Sequence, residues 1–252
     1  MERILITGAA GRVAGMLLEH LPRAGRELRL LDLVPIADAD SVVADATDLD
    51  AMVQACQGID AVVHLAGIAR EDTWTAIRDV NIESTYIAFE AARRAGVPRV
   101  VFASSNHAVG FHANEPDLTD DLPMRPDTFY GVSKVVGEAL GSLYHDRYGL
   151  DVVCLRIGTC FAEPFDRRRL ATWLSPEDCA RLVDAALTCP SPGFRTVWGV
   201  SANTRCQWSL RGGAAIGYHP QDDAEQFAAR FAAAEDPELE AAGRRVGGRL
   251  TL

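Results

Sequence analysis

Lys134 is the only lysine in a 252-residue chain whose Lys and Arg total 25, and it stands four positions after Tyr130 in the run Tyr130-Gly131-Val132-Ser133-Lys134. With five tyrosines available, a single lysine would land there by accident about 2% of the time (5 in 252). Four residues make one helical turn, so both side chains share a face. A compact ammonium beside a phenol favours the phenolate and lowers its pKa toward working pH, which makes a proton acceptor. The same ammonium keeps donors for a cofactor ribose, a task that the planar fork of arginine performs less well. Ser105 can hold the substrate oxygen that Tyr130 deprotonates, and Asn81 can position a water behind Lys134. No metal is called for: none of the six cysteines forms a CxxC pair or a Cys/His cluster of zinc-like spacing.

A second group reads as a dinucleotide cradle. Gly8, Ala10, Gly11, Arg12 and Val13 lie in Thr7-Gly8-Ala9-Ala10-Gly11-Arg12-Val13-Ala14, between a predicted strand and a predicted helix. Glycines let backbone approach a pyrophosphate, and a helix N-terminus offers free N–H groups and a positive dipole end. Asp32 ends the second strand, where a carboxylate accepts from both ribose hydroxyls and repels a 2′-phosphate. No Arg or Lys follows in Leu33-Val34-Pro35, so NAD is expected rather than NADP. Asp45, after the third strand, is placed near the adenine, and Leu65, Ala66 and Gly67, after the fourth, also belong to the cofactor side.

These residues need a scaffold that gathers strand ends. Predicted strands at 3–7, 27–31, 41–44, 60–65, 99–103 and 152–156 alternate with predicted helices at 11–21, 48–56, 73–95 and 127–148. Strands spaced by helices imply a parallel sheet covered on both faces, with ligands outside the carboxyl ends of the strands. The expectation is a doubly wound α/β Rossmann fold in one domain: a dinucleotide-binding core over 1–157 and a small substrate-side cap over 158–252. In the cap, Ser175-Pro176-Glu177-Asp178 starts a helix reaching about Leu187, and a strand is expected at 196–200. The tail from Asp222 is expected to be helical and then frayed.

Composition excludes several classes. A formal net charge of −10 repels nucleic acid and anionic membranes. No apolar run approaches the roughly 20 residues of a membrane span, and the start of the chain has no signal-peptide architecture. The cysteines read as reduced thiols and the location as cytoplasmic.

The motifs TGAAGRVA and YGVSK, with Ser105 and Asn81, resemble the extended short-chain dehydrogenase/reductase superfamily over about residues 3–160. Longer stretches are similar to uronate dehydrogenases: ASSNHAVGF at 103–111, RPDTFYGVSKVVGEALGSLYHDRYGLDVVCLRIGTCF at 126–161, TWLSPEDCARLVDAAL at 172–187 and GYHPQDDAE at 217–225. That resemblance implies NAD-dependent oxidation of a hexuronic acid such as galacturonate or glucuronate at its anomeric carbon, giving an aldarolactone. It implies that Ser105, Tyr130 and Lys134 are catalytic, that Asn106, His107, Thr159 and Arg168 touch the sugar acid, and that the protein is a homo-oligomer. Arg168 suits a carboxylate on charge grounds as well, since an acidic protein needs a local cation to hold an anion. Two positions depart from the family pattern. Ala69, followed by Arg70, and Thr159 stand where a hydroxyl residue and Ser are expected, which bears on the preferred sugar rather than on the reaction. The alternatives are a nucleotide-sugar epimerase or dehydratase of the same superfamily and a non-catalytic dinucleotide sensor.

Overall fold

Strand β1 (Glu2–Thr7) lies inside the sheet, with both its faces covered. Ile4 and Ile6 point into one apolar cluster and Leu5 into another, and all three are fully buried. The same alternation continues through β4 (Ala61–His64), β5 (Arg99–Ser105) and β6 (Asp151–Ile157). Each such Ile, Leu or Val contributes roughly 1.5–3 kcal/mol by leaving water. The computed structural model describes residues 2–21, 25–37, 40–231, 241 and 243–251.

With β2 (Arg26–Asp32), β3 (Asp40–Val43) and β9 (Phe194–Gly199), these strands form a seven-stranded parallel sheet in the order β3-β2-β1-β4-β5-β6-β9. Helices α1 (Arg12–His20) and α7 (Pro176–Thr188) pack together, and the cluster between them and the sheet includes Leu17, Leu182 and Val183. Helices α2 (Leu49–Ala55), α4 (Glu83–Ala95) and α5 (Phe129–Tyr148) contribute Met52, Phe89 and Tyr144 to the cluster on the other face. This is the doubly wound Rossmann architecture. Strand order reverses between β1 and β4, which opens a crevice above their carboxyl ends.

Three local expectations are corrected. The helix expected over 73–95 is not uniform: α3 (Trp74–Ala76) passes into a π-helical turn, Ile77–Ile82, before α4. Apolar spacing cannot distinguish the two windings, and π turns concentrate at functional sites. The helix expected from Asp127 starts two residues later, because Thr128 caps it by accepting from Gly131 N (2.8 Å). In the tail, Ala224–Phe231 is a 3-10 rather than an α-helix. Residues 232–240 lie outside the described residues, and 244–251 do not fray but dock: Val246 is fully buried against Trp198 and Trp208. The cap further holds β7 (Thr159–Cys160), α6 (Arg169–Thr172), β8 (Trp173–Leu174) and α8 (Arg211–Ala215), none of them foreseen. All six cysteines are free. Among the described residues no helix is long and apolar enough to cross a membrane.

Candidate active site

The turn after β1 is shaped by what surrounds it. Gly8 adopts φ +69°, and a Cβ there would stand 2.6 Å from the backbone nitrogen of Ala66, so only glycine lets this turn rest on the strand-end loop beside it. Gly11 N-caps α1, and among the described residues no side chain accepts from that helix terminus, leaving its first amides for an anion. Asp32 accepts from Ala10 N (2.9 Å) and Leu33 N (2.7 Å), which ties the second strand end to the glycine turn. Asp45 accepts from Thr47 N (2.9 Å). Gly8, Gly11, Asp32, Asp45, Leu65, Ala66 and Gly67 line one cavity, and Arg12, Val13, Leu65 and Gly67 continue into a second. A backbone turn that a Cβ would fill, an uncapped helix N-terminus and an acid at the neighbouring strand end are the parts that fit NAD.

The second cavity, about 570 Å³, brings together Ser105, Asn106, His107, Tyr130, Lys134, Thr159 and Arg168. Tyr130 and Lys134 reach it because α5 lies directly on β5. A Cβ at Gly137 would stand 2.2 Å from the Phe102 ring, so the glycine is what permits that approach. Lys134 Nζ sits 5.0 Å from the Phe102 ring centroid and 5.3 Å from that of Tyr130. One turn further along, Glu138 forms a fully buried bidentate pair with Arg156 (2.9 and 2.8 Å) and accepts from Ser104 Oγ (2.6 Å), locking the catalytic helix to the strand end that carries Ser105.

The tuning of the pair differs from the expectation. Burial pushes the Tyr130 phenol up to about 12, opposed by a hydrogen bond with Ser105, and burial lowers Lys134 to about 8. Both groups are desolvated, and desolvation disfavours phenolate and ammonium alike. The ammonium therefore does not by itself bring the phenol's pKa down to neutral pH. Lys134 also faces His64, which burial and the neighbouring Lys134 charge together lower to about 3; the imidazole stays neutral between Thr7 Oγ1 (2.8 Å) and Thr85 Oγ1 (3.4 Å).

Asn81 is buried beside Ser133 of the catalytic helix. Its amide accepts from Ile68 N (2.7 Å) and donates to Ile68 O (2.9 Å) and Ser133 Oγ (3.3 Å), so it pins the loop after β4 to the catalytic helix. The π turn is what presents it there.

Around the sugar end, Ser105 Oγ donates to Asn106 Oδ1 (3.3 Å) and accepts from His107 N (3.2 Å). His107 Nδ1 pairs with the fully buried carboxylate of Asp127 (2.9 Å), which orients the ring against that of Tyr130, with centroids 5.8 Å apart. Thr159 Oγ1 is engaged with Thr172 Oγ1 (3.1 Å). Of the three consecutive arginines, Arg168 and Arg169 line the cavity. Arg169 is ion-paired with Asp166, while Arg168 donates to the backbone carbonyl of Val246 (2.7 Å). Burial pushes Arg168 down to about 10, with the Asp127 charge opposing. Ala69 and Arg70 also line the cavity, with the Arg70 side chain 79% exposed at its rim.

Sequence reasoning missed Asp127, Glu71 and Val246. Glu71 accepts from Phe129 N (3.0 Å) and Tyr130 N (2.9 Å), so a carboxylate from the loop after β4 caps the catalytic helix beside Thr128. The Thr128-to-Gly131 cap was readable locally; a cap 58 residues away was not.

Residues 4–192 match the NAD dependent epimerase/dehydratase family. The chain belongs to that family. A uronate dehydrogenase of Pseudomonas syringae pv. tomato is 41% identical to this chain over 241 residues, covering 94% of this chain and 88% of its own. An NAD-dependent glucose-6-phosphate dehydrogenase of Haloferax volcanii is 39% identical, covering 90% of this chain and 95% of its own. The crystal structure of uronate dehydrogenase from Agrobacterium tumefaciens has a TM-score of 0.93 at 39% identity, covering 100% of this chain and 97% of that one. As an epimerase/dehydratase family member, the chain carries the glycine turn, Tyr130 and Lys134 all inside the matched span, whereas Val246 lies beyond it.

Proposed function

We propose that this protein oxidises a hexuronic acid at the anomeric carbon to the aldarolactone, with NAD taking the hydride. The observation that carries the reading is a proton acceptor and a buried cation in one cavity: Ser105, Tyr130 and Lys134 share it with Arg168. NAD supplies the hydride acceptor when bound. The anomeric hydroxyl is placed against Tyr130 and Ser105. Tyr130, as phenolate, takes the hydroxyl proton; the C1–H electron pair leaves with the hydrogen, and C1 becomes the lactone carbonyl. Lys134 holds the nicotinamide ribose and contributes its charge to the phenolate, while Ser105 keeps the oxygen in line. Arg168 pairs with the substrate carboxylate, and His107, oriented by Asp127, gives a second polar contact. Asp32 holds the adenosine ribose.

The relatives support C1 oxidation more strongly than any one sugar, since one of them is named for glucose 6-phosphate. Arg168 favours a carboxylate held at short range. The test is NADH formation at 340 nm with galacturonate, glucuronate, galactose, glucose 6-phosphate and UDP-sugars, each with NAD. Turnover confined to the two uronates is the expected result; conversion of a UDP-sugar with no net NADH, read by chromatography of the product, would install the epimerase/dehydratase alternative, whose reactions return the hydride to the sugar. We also place the protein in the cytoplasm as a homo-oligomer, in keeping with Tyr86, Leu143 and Tyr148 exposed on α4 and α5.

A further inference from the structure

Residues 244–251 return to the site from the far end of the chain. Asn114 N donates to Arg244 O (2.9 Å), Val246 N to His112 O (3.1 Å) and Gly247 N to Gly110 O (2.9 Å), and Ala113 and Arg245 form an antiparallel bridge. These bonds fasten the segment to the loop just past Asn106 and His107. The Val246 side chain is fully buried, which fixes its carbonyl in place.

That carbonyl accepts twice. Asn106 Nδ2 donates to it at 2.8 Å and Arg168 Nη2 at 2.7 Å, using both lone pairs of the oxygen. Asn106 in turn accepts from Ser105 Oγ. A continuous line of hydrogen bonds therefore runs Ser105–Asn106–Val246–Arg168, from the reacting end of the cavity to its cation. Gly248 closes the other flank. Its φ is +70°, and a Cβ there would stand 2.5 Å from Arg168 Cζ. A tail that served stability alone would need the Val246 side chain and the backbone bonds; the two contacts to Arg168 and the place of Gly247 in the cavity wall lie outside that role.

We propose that this C-terminal segment determines specificity: the Val246 carbonyl and Gly248 hold Arg168 at a fixed separation from Ser105, so the site measures the distance from the anomeric oxygen to the anion. The inference rests on the reading of Arg168 as the carboxylate partner. A phosphate ester on C6 reaches further from the anomeric oxygen than a carboxylate at the same carbon, so the two anions call for different separations.

The experiment uses the full chain with Gly248→Ala. Its added methyl displaces the guanidinium without touching Tyr130, Lys134 or Asp32. The galacturonate-to-galactose ratio of kcat/KM should fall by roughly tenfold or more, as for a weakened charged hydrogen bond, and the loss should fall mainly on KM. The Kd for NAD, read by fluorescence quenching, should stay within about twofold, since the nearest atoms a Cβ at Gly248 would meet are those of Arg168 and not of the glycine turn. An unchanged ratio, or an equal loss on both sugars, overturns the inference. Val246→Ala keeps the carbonyl but loosens its anchor and should move the ratio in the same direction by a smaller factor; it serves if Gly248→Ala does not fold. If the unaltered protein oxidises neither uronate, the functional reading fails by itself. The inference is then decided by a crystal structure of Gly248→Ala, where it predicts that Arg168 Nη2 has left Val246 O, and a retained contact refutes it.

Discussion

The cofactor side and the sugar side of this cleft are built differently. The cofactor side is made of backbone: a glycine turn, an uncapped helix end and one acid, supplied within residues 8–32 by two adjacent strands. The sugar side is made of side chains that meet from across the chain. His107 is oriented from 20 residues away, Asn106 from 140 and Arg168 from 78. A cradle of backbone is set by strand pairing and tolerates change in neighbouring side chains. A pocket of cross-linked side chains can be retuned one residue at a time, and it can also be spoiled one residue at a time.

Variants sharpen that contrast. Tyr130→Phe should cut turnover by roughly 10²-fold or more, the usual contribution of a general base, while NAD binding, measured by fluorescence, stays nearly intact. Because the phenolate is the active form and burial holds the phenol up at about 12, turnover of the unaltered protein should climb as pH rises from 6 to 9. A flat profile would remove Tyr130 from the proton-transfer step.

Arg168→Ala comes next. Loss of a charged hydrogen bond is worth about 1.5–3 kcal/mol, which should appear in kcat/KM for galacturonate and hardly at all in the residual rate on galactose. Equal losses on both sugars would make Arg168 structural and move the search for the carboxylate partner to Arg70 or His107.

The cofactor side makes a prediction of its own about stability. His64 is fully buried and its pKa is lowered from 6.5 to about 3, so below pH 6.5 the unfolded chain takes up a proton that the folded chain refuses. Stability present at neutral pH is therefore lost as pH falls toward 3. From pH 7 to pH 5 the loss from this one group is about 2 kcal/mol, visible as a falling Tm that His64→Asn should partly flatten.

Asp32→Ala should have the smallest effect, roughly tenfold in the Kd for NAD, about 1.4 kcal/mol, with a narrower gap to NADP. If NADP serves the unaltered protein as well as NAD, Asp32 does not hold the ribose.

The same contrast explains what the sequence disclosed. The glycine turn, the strand ends and the Tyr130/Lys134 spacing are local patterns, and strand periodicity placed them at one edge of a parallel sheet. Asp127 was read only as the first residue of a helix, although its carboxylate orients His107; nothing in a run of apolar spacing reports a partner on another loop. Glu71 was hidden for the same reason. The tail was misjudged because Ala-, Arg- and Glu-rich composition argues for a solvated helix, while one buried apolar residue, Val246, is enough to dock the segment that follows.

The solitary lysine has an analytical consequence. A side-chain amine occurs once per chain, it is only 8% exposed, and its pKa near 8 leaves a substantial share in the nucleophilic free-base form at mildly alkaline pH. Amine-selective reagents small enough to enter the cleft therefore have one side-chain amine to modify. The moles of label incorporated with inactivation count working sites directly, and the protection that NAD gives against labelling measures its occupancy without any turnover at all.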